Sequence, residues 1–356
     1  MPKQPRPAKP APLLQRLDQG PVICAEGYLF EFERRGYLQA GAFVPEVVLE
    51  HPDLVKQLHR EFVRAGSDVV EAFTYYGHRE KLRLIGREKD LEPMNRTALR
   101  IAREVARESG TLFAGNICNT TIYLPDDKKS HRDVRSMFDE QIGWAVEAKV
   151  DYIIGETYSF LGEALIAAKA IKASGLPAVV TLALHTQGTT RDGVDPAEAC
   201  SQLEDAGADV VGLNCTRGPR TMLPLMRKIR RAVSCHVAAL PVPFRTTPHQ
   251  PTFQSLMDAK CWCIPGGHPF PVALDPFTCN RFEIAEFGKA AYALGVHYLG
   301  VCCGAGPHHI RALAEALGRH PEASRYSADM SKHYIFGNTK NFRKKNTDYA
   351  KELRGR

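Results

Sequence analysis

The sequence lacks several features that would assign it to other classes of protein. It has no apolar run of about 18 or more residues, which a membrane-spanning helix requires, and no Gly-rich phosphate fingerprint of a dinucleotide-binding sheet. Its first residues, MPKQPRPAKPAP, are basic and rich in proline, without the apolar segment of a secretory signal. We therefore expect a cytoplasmic protein without a membrane segment, in which residues 1–20 form a disordered tail.

The positive charge is confined to the two ends of the chain. The formal net charge is +7, but residues 1–12 carry three basic and no acidic residues, and residues 340–356 carry seven Lys or Arg against Asp348 and Glu352. The body between them is close to neutral and contains no aromatic-interleaved RNA-binding motif. We therefore expect no nucleic-acid partner.

The ten cysteines do not follow the regular spacing of small disulfide-rich domains. This favours reduced thiols that serve as buried residues or metal ligands. The triplet Cys261-Trp262-Cys263 has no second pair at zinc-finger spacing, so we interpret it as packing residues. It lies in a segment, 243–281, that is too long for a plain loop and that we interpret as a lid.

From Pro21 onward, short apolar β-branched runs alternate with longer helical patterns. Eight such runs are followed by helices: VICAEG (22–27), DVVEAFTY (68–75), TLFAGNI (111–117), DYIIGETY (151–158), PAVVTLAL (177–184), ADVVGLNC (208–215), CHVAALPV (235–242) and HYLGVCC (297–303). Fully apolar strands alternating with helices indicate a parallel sheet, and eight repeats predict a (β/α)8 TIM barrel over residues 21–319. The alternative is an open doubly wound sheet, which usually has fewer strands.

The carboxyl ends of these strands should carry the active site, as in other barrels of this kind. Cys215 ends the sixth run, and Cys302 and Cys303 end the eighth. Adjacent cysteines rarely form a disulfide with each other, but three thiolates converging at the barrel mouth fit a tetrahedral zinc ion with an exchangeable fourth ligand. The alternative is three buried cysteines without a metal.

The stretches GLNCT (212–216) and GVCCGAGPHHIRAL (300–313) resemble the zinc-dependent homocysteine S-methyltransferase family, and within it the betaine–homocysteine branch. RRGYLQAGAFVPE (34–46) and DYIIGETYSFLGEA (151–164) are similar as well. The resemblance implies a homocysteine-binding barrel in which Cys215, Cys302 and Cys303 hold Zn²⁺. It also implies transfer of a methyl group from an onium donor to the zinc-bound thiolate of homocysteine, giving methionine.

The resemblance extends to residues that bind the two substrates. Glu156 matches the acid that receives the amino group of homocysteine, although an acid there could equally pair with an arginine. Phe43 and Tyr76 match aromatic residues that hold a quaternary ammonium through cation–π attraction. The alternative is that the FTYY run (73–76) is ordinary strand and core.

Three positions depart from the family pattern. Ala25 replaces an Asp of the first strand, and Glu26, which would substitute for it, starts from the other face of the strand. Thr157 stands where a Tyr can complete the zinc tetrahedron, so that Tyr158 or water would replace it. Phe43 replaces a Trp. These departures leave the donor open between betaine, another methylated ammonium and a sulfonium, and a thiol other than homocysteine stays open as acceptor.

Two expectations concern assembly and rival functions. The extension 320–356 contains aromatic residues, and the resemblance implies that it holds subunits together in a homo-oligomer; the alternative is a flexible basic tail. A zinc hydrolase would need histidines and carboxylates around a water, which the strand ends lack. A zinc-bearing barrel that acts as a non-catalytic binding or assembly module stays a second alternative.

Overall fold

The computed structural model describes residues 11–333, 335–337, 340 and 343–355. Eight parallel strands pair in sequence order and close into a barrel, which confirms the predicted (β/α)8 fold. The strands are β1 Val22–Ala25, β2 Val69–Glu71, β3 Leu112–Cys118, β4 Tyr152–Tyr158, β5 Ala178–Leu182, β6 Val210–Asn214, β7 His236–Leu240 and β8 Tyr298–Val301.

Most of the helices surround the barrel and connect consecutive strands, whereas the first precedes β1 and the last two follow β8. They are α1 Leu13–Gln19, α2 Tyr28–Arg34, α3 Val47–Glu50, α4 Pro52–Ala65, α5 Arg79–Leu84, α6 Leu91–Ser109, α7 Lys128–Ala148, α8 Leu161–Ala173, α9 Pro196–Asp205, α10 Pro219–Ala232, α11 Arg281–Ala293, α12 Pro307–Ala316 and α13 Lys344–Arg354. Proline opens α4, α9, α10 and α12, where its missing N–H costs no hydrogen bond. In the described part of the chain, no helix has the length and apolarity needed to cross a membrane.

The start of the described chain corrects one prediction. Residues 1–20 were expected to form a disordered tail, but Leu13–Gln19 form helix α1. Leu13 and Leu17 are fully buried and pack with Val22 and Cys24 of β1 in the apolar interior of the barrel. The prediction failed because the two leucines directly follow a proline-rich stretch, whose composition outweighed their helical spacing. Residues 1–10 of the predicted tail lie outside the described residues.

A recurrent aspartate joins each of three αβ loops to the preceding strand. The carboxylates of Asp68, Asp151 and Asp209 accept hydrogen bonds from backbone N–H groups of the neighbouring strand, at 2.8–2.9 Å. These are the aspartates of the recurring phrases AGSDVV, AKVDYI and AGADVV. The donors are Ile23 of β1, Phe113 of β3 and Ala178 of β5, so each aspartate fixes the start of its own strand against the neighbouring strand.

The long segment between β7 and α11 crosses the barrel mouth. Two backbone hydrogen bonds of 2.8 Å hold it: the N–H of Cys279 donates to the carbonyl of Pro243 and joins its two ends, and the N–H of Phe253, within it, donates to the carbonyl of Thr216. Cys261 and Cys263 form a disulfide, and Trp262 between them is 97% exposed. The interpretation of this triplet as packing residues is therefore wrong, since its largest side chain has almost no protein around it.

Candidate active site

Three thiols meet at the carboxyl end of the barrel, as the sequence predicted. The ligand atoms of Cys215, Cys302 and Cys303 lie within 4.8 Å of one another. The backbone N–H of Cys215 donates to the carbonyl of Leu240, and that of Cys302 to the carbonyl of Pro241, each at 2.9 Å. The end of β7 thus fixes both flanking strands, which brings thiols from β6 and β8 to one point.

Backbone conformation also directs these thiols inward. Cys215 has a φ of 55°, in the left-handed region that side chains rarely adopt. Gly304, directly after the cysteine pair, has a φ of 93°, and a Cβ there would lie 2.6 Å from the ring of Phe244. The turn after β8 therefore requires glycine, and the usual alternation of side chains ends at the cluster.

The three thiols differ in acidity. The pKa of Cys215 lies well below its ordinary value because Cys302 and Cys303 donate hydrogen bonds to its sulfur. Burial is the main cause that raises the pKa of Cys302, and the hydrogen bond to Cys215 raises that of Cys303. The cluster therefore favours the thiolate form at Cys215, and a cation bound there would favour it further.

The donor set fits a zinc ion. Zinc–sulfur bonds of about 2.3 Å in a tetrahedron place the sulfurs roughly 3.8 Å apart, and the sulfurs of Cys302 and Cys303 are 3.9 Å apart. Cys302 and Cys303 also line a small cavity, so that a fourth ligand can reach the cluster from that side. Three sulfur donors with one free approach are typical of a catalytic rather than a closed structural zinc site.

The cavity beside the cluster has a volume of about 20 Å³ and contains three buried carboxyl groups. Glu26, Glu71 and Glu156 are each 6% exposed or less. The other residues that line the cavity are Tyr28, Leu29, Ala72, Phe73, Tyr75, Cys302 and Cys303. Burial raises the pKa of Glu156 to about 7 and those of the other two well above their ordinary value.

Two asparagine amides connect the three carboxyl groups. The Nδ2 of Asn116 donates to Glu71 Oε1 at 2.5 Å and to Glu156 Oε1 at 2.6 Å. The Nδ2 of Asn214 donates to Glu156 Oε2 at 2.7 Å and approaches Glu26 Oε2 at 3.4 Å. Glu156 is thus held on both oxygens at the centre of the network, where it faces the cavity.

Glu71 is the site residue that sequence reasoning missed. It is the last residue of β2 and stands in an otherwise apolar strand, VVE, that is buried throughout. An acid inside a fully buried strand costs free energy unless its charge is compensated. The presence of Glu71 in this strand therefore already indicated a functional residue.

Glu26 faces the cavity despite its expected position on the other side of the strand. Strand β1 ends at Ala25, and Glu26 is the first residue beyond it. Its backbone N–H still donates to the carbonyl of Val301 at 3.2 Å. Because the extended strand conformation ends here, alternation no longer decides where its side chain lies, and the prediction from strand alternation was wrong.

Thr157 and Tyr158 occupy different surroundings. Thr157 has a φ of 63°, and its Oγ1 accepts from Asn214 at 2.9 Å and donates to Glu156 Oε2 at 3.1 Å. The ring of Tyr158 packs edge-on against Phe138 of α7 at 5.9 Å, on the outside of the barrel. Tyr158 therefore does not stand in for the tyrosine that the family pattern has at position 157.

The aromatic residues expected at the donor site divide into two groups. Tyr75, rather than Tyr76, lines the cavity. The ring of Tyr76 lies 4.3 Å from that of Tyr75 and carries the Nζ of Lys81 over its face at 3.9 Å. Phe43 stacks on Phe30 at 5.6 Å. One face of Tyr76 thus already binds a cation from the chain itself.

Comparisons with known proteins agree with one another. The family model for homocysteine S-methyltransferase matches residues 27–317. Betaine–homocysteine S-methyltransferase 1 of Danio rerio is 37% identical over 332 residues, covering 91% of this chain and 80% of that protein. S-methylmethionine–homocysteine S-methyltransferase BHMT2 of Rattus norvegicus is 34% identical over 338 residues, covering 91% and 86%. The metallated homocysteine methyltransferase MmuM of Escherichia coli shares the fold, with a TM-score of 0.66 at 18% identity, over 85% of this chain and 99% of that one.

Proposed function

The chain belongs to the homocysteine S-methyltransferase family, and from this premise we propose that it transfers a methyl group from an onium donor to homocysteine, giving methionine. The observation that carries the proposal is the three-thiol cluster of Cys215, Cys302 and Cys303 beside a cavity lined by carboxyl groups. The thiols and the carboxyl groups lie next to each other there, and homocysteine carries a thiol and an amine that would match them.

We propose that the three thiols hold zinc. When bound, zinc lowers the pKa of an acceptor thiol, so that the nucleophilic thiolate is present at neutral pH. The protein's own part is to keep three sulfur donors together in a buried place, which the hydrogen bonds to the end of β7 accomplish.

The acceptor's ammonium group would be held by Glu156 and Glu26. Asn116 and Asn214 fix the oxygens of Glu156, so that its carboxyl group presents a defined orientation to the cavity. Thr157, which hydrogen-bonds to both Glu156 and Asn214, completes this support from β4. With its amine on Glu156 and Glu26, the acceptor would be held at a set distance from the thiols, which would orient its sulfur.

We propose an onium donor of the betaine type. Transfer from an onium to a thiolate neutralises charge, and a buried, low-dielectric site favours such a reaction. Tyr76 and Phe43, which lie in the segments after β2 and α2, would contact the cationic end through their rings. The similarity to an S-methylmethionine-dependent relative favours a sulfonium as the second candidate.

Methionine formation tests the proposal. Zinc-loaded protein is incubated with homocysteine and, separately, glycine betaine, S-methylmethionine and dimethylsulfoniopropionate, with Cys215→Ala as the inactive control. We expect turnover with one donor, lost in the variant. Stoichiometric zinc without turnover across this panel would favour a different thiol acceptor or the non-catalytic barrel module.

We further propose that the extension 320–356 holds subunits together in a homo-oligomer. Its described part ends in helix α13, where Arg354 donates to the carbonyls of Ile335 and Gly337. Phe336 is 53% and Tyr349 48% exposed in the single chain, as expected for residues that a second subunit covers. Light scattering of Tyr349→Glu should show a smaller species than the wild type; an unchanged mass would contradict the proposal.

A further inference from the structure

One pair of cysteines forms a disulfide that is open to solvent, whereas the other eight carry free thiols. Cys261 and Cys263 are bonded to each other, and Cys263 is the one exposed cysteine of the ten, all of which the structure describes. Exchange between a thiol and a disulfide requires that the attacking thiolate reach a sulfur atom. A small thiol in solution can therefore reach this disulfide more readily than it reaches any other cysteine of the chain.

A purely structural role explains this disulfide poorly. It joins residues only two positions apart, and in the chain-entropy account so short a loop gains about half as much stability as a loop of about 15 residues. Trp262, between the two cysteines, is 97% exposed, so the bond does not support a packed core either. Exposed disulfides of this kind are typically the labile, regulatory or catalytic ones.

The disulfide lies in a small turn that is closed by its own hydrogen bonds. The N–H of Asp258 donates to the carbonyl of Gly267, and the Oδ1 of Asp258 accepts from the N–H of Cys261, both at 3.2 Å. The N–H of Ile264 donates to the carbonyl of Cys261, also at 3.2 Å. Residues 258–267 therefore form a closed turn, the disulfide loop, and reduction removes its covalent cross-link.

The disulfide loop leads into a group of aromatic rings at the barrel mouth. Phe270, shortly after the end of the loop, packs edge-on against Phe253 at 4.9 Å and lies 6.5 Å from Phe30. Phe30 in turn stacks on Phe43 at 5.6 Å. Because Phe43 is one of the rings proposed to contact the methyl donor, a change in the loop can reach the donor through these rings.

The other side of the disulfide loop starts from a fixed point. The side chain of Gln250 pairs with the backbone of Met257: its Oε1 accepts from the N–H at 3.3 Å, and its Nε2 donates to the carbonyl at 3.2 Å. Since the start of the loop is held in this way, we expect a relaxation of the loop to be taken up at its far end, on the side of Phe270.

We propose that Cys261 and Cys263 are a redox-active dithiol–disulfide pair, a second site of sulfur chemistry that exchanges with low-molecular-weight thiols and disulfides, and that its oxidised form keeps the donor side of the barrel mouth in order. The first part stands on the accessibility of the pair alone. The second part rests on the proposed function, because it takes Phe43 as a contact of the methyl donor.

The exchange takes place in two balanced steps. The thiolate of a small thiol, RSH, attacks the exposed sulfur of Cys263; an RS–S bond forms, the bond to Cys261 breaks, and Cys261 leaves with the electron pair and takes up a proton. A second thiolate attacks the RS sulfur of this mixed disulfide, which gives RSSR and releases Cys263, and Cys263 takes up the second proton. Two small thiols are thus oxidised while the protein disulfide gains two electrons, and RSSR reverses both steps.

Trp262 reports the state of the pair. The chain has two tryptophans, Trp144 and Trp262, so Trp144→Phe leaves Trp262 as the single fluorophore. A disulfide quenches the emission of an adjacent indole, so emission should rise when zinc-loaded Trp144→Phe is moved from bis(2-hydroxyethyl) disulfide to 2-mercaptoethanol. The same protein with Cys261→Ser and Cys263→Ser should emit at the higher level in both buffers. Equal emission of the two proteins in both buffers would overturn the redox pair.

Alkylation of the folded protein identifies the residues that react. After treatment with 2-mercaptoethanol, iodoacetamide should modify both Cys261 and Cys263, and after treatment with the disulfide it should modify neither. Cys200, which is buried, should stay unmodified in both cases, which ties the result to the folded protein. A peptide that carries the same modification after either treatment would overturn the exchange.

Initial rates of methionine formation test the link to the donor. Oxidised and reduced Trp144→Phe are desalted and assayed at once, while Trp262 emission shows that homocysteine has not yet exchanged with the pair. The KM for the onium donor should be about threefold higher in the reduced protein, as expected when one exposed cation–π contact is weakened. The KM for homocysteine should be the same in both.

The double serine variant on the same background is the matched control. It should show the higher donor KM after either treatment, because it cannot form the disulfide. Zinc content is measured in parallel. A redox effect on the donor KM that persists in this variant would overturn the link, since it would then have to arise in the three thiols proposed to hold zinc.

The outcomes also separate this inference from the proposed function. Changes in emission and alkylation without methylation of any thiol would support the redox pair and contradict the enzyme activity. Methionine formation with the same donor KM in both redox states would overturn the link to the donor and leave the activity in place.

Discussion

The side chain of Asn214, at the end of β6, donates a hydrogen bond to the carboxyl group of Glu156 in β4. Its Nδ2 donates to Glu156 Oε2 at 2.7 Å, while its Oδ1 accepts from the backbone N–H of Thr157 and from Thr181 Oγ1, both at 2.9 Å. Asn214 also directly precedes Cys215. The residue that orients the central carboxyl group is thus covalently attached to the thiol cluster, which couples the geometry of the two sites.

This coupling predicts the effect of one substitution. Asn214→Asp removes an N–H donor and adds a carboxylate beside Glu156 and Glu26, so we expect the free energy of unfolding to fall by about 3 kcal/mol. Denaturant unfolding of the metal-free protein measures it. Asn119→Asp, which removes a donor to the uncharged carbonyl of Thr157, should cost only about 1 kcal/mol. Equal losses would show that charge repulsion plays no part.

The barrel could be predicted from the sequence because its strands carry their own signal. Each strand is a short apolar run buried on both faces, and all eight were placed within a few residues of their observed ends. Helix α1 was missed because only two of its residues, Leu13 and Leu17, are buried, and they follow a proline-rich start. A seven-residue helix is too short for periodicity to outweigh that composition.

The site was predicted where it depends on strand ends and missed where it depends on loop geometry. Cys215, Cys302 and Cys303 follow from the rule that parallel strands present their carboxyl ends together. The inward direction of Glu26 and the position of Tyr76 depend on backbone angles outside the strands, and the φ of Tyr76 is 58°. A left-handed residue that is not glycine leaves no mark in the sequence.

Zinc content should depend on each thiol of the cluster. Cys302→Ser replaces a soft sulfur donor with a hydroxyl, so we expect bound zinc to fall from about one ion per chain to less than about 0.2. Atomic emission of the desalted protein measures the ratio. Cys235→Ser, a half-buried thiol at the other end of the barrel, should retain the wild-type zinc content. Loss of zinc in both variants would contradict a site built from these three cysteines.

Lys81 should compete with the donor for Tyr76. Its Nζ lies 3.9 Å from the ring centroid, and its pKa is lowered by burial. Lys81→Gln vacates this ring face, so we expect the KM for a betaine-type donor to fall about fivefold while the KM for homocysteine stays the same. Lys129→Gln, an exposed lysine of α7, serves as the control. A higher donor KM would instead indicate that Lys81 attracts the donor's carboxylate.

Acid should destabilise the protein partly through His59. This side chain is fully buried, its Nδ1 faces the hydroxyl of Tyr28 at 3.1 Å, and burial lowers its pKa to about 3. The unfolded chain, where a histidine titrates near 6.5, then binds one more proton than the native state between about pH 6.5 and 3. Stability contributed by the neutral ring is therefore complete above about pH 6.5 and is lost as the pH falls.

His59→Gln retains a partner for Tyr28 and removes this titration. Between pH 7 and 5 the free energy of unfolding of the wild type should fall by about 2 kcal/mol more than that of the variant, since each pH unit below 6.5 costs about 1.4 kcal/mol. Denaturant titrations at several pH values measure both slopes. His320→Gln, at an exposed position, should follow the wild type. If the slopes of the wild type and His59→Gln coincide, the buried ring is protonated without penalty and water must reach it in the native state.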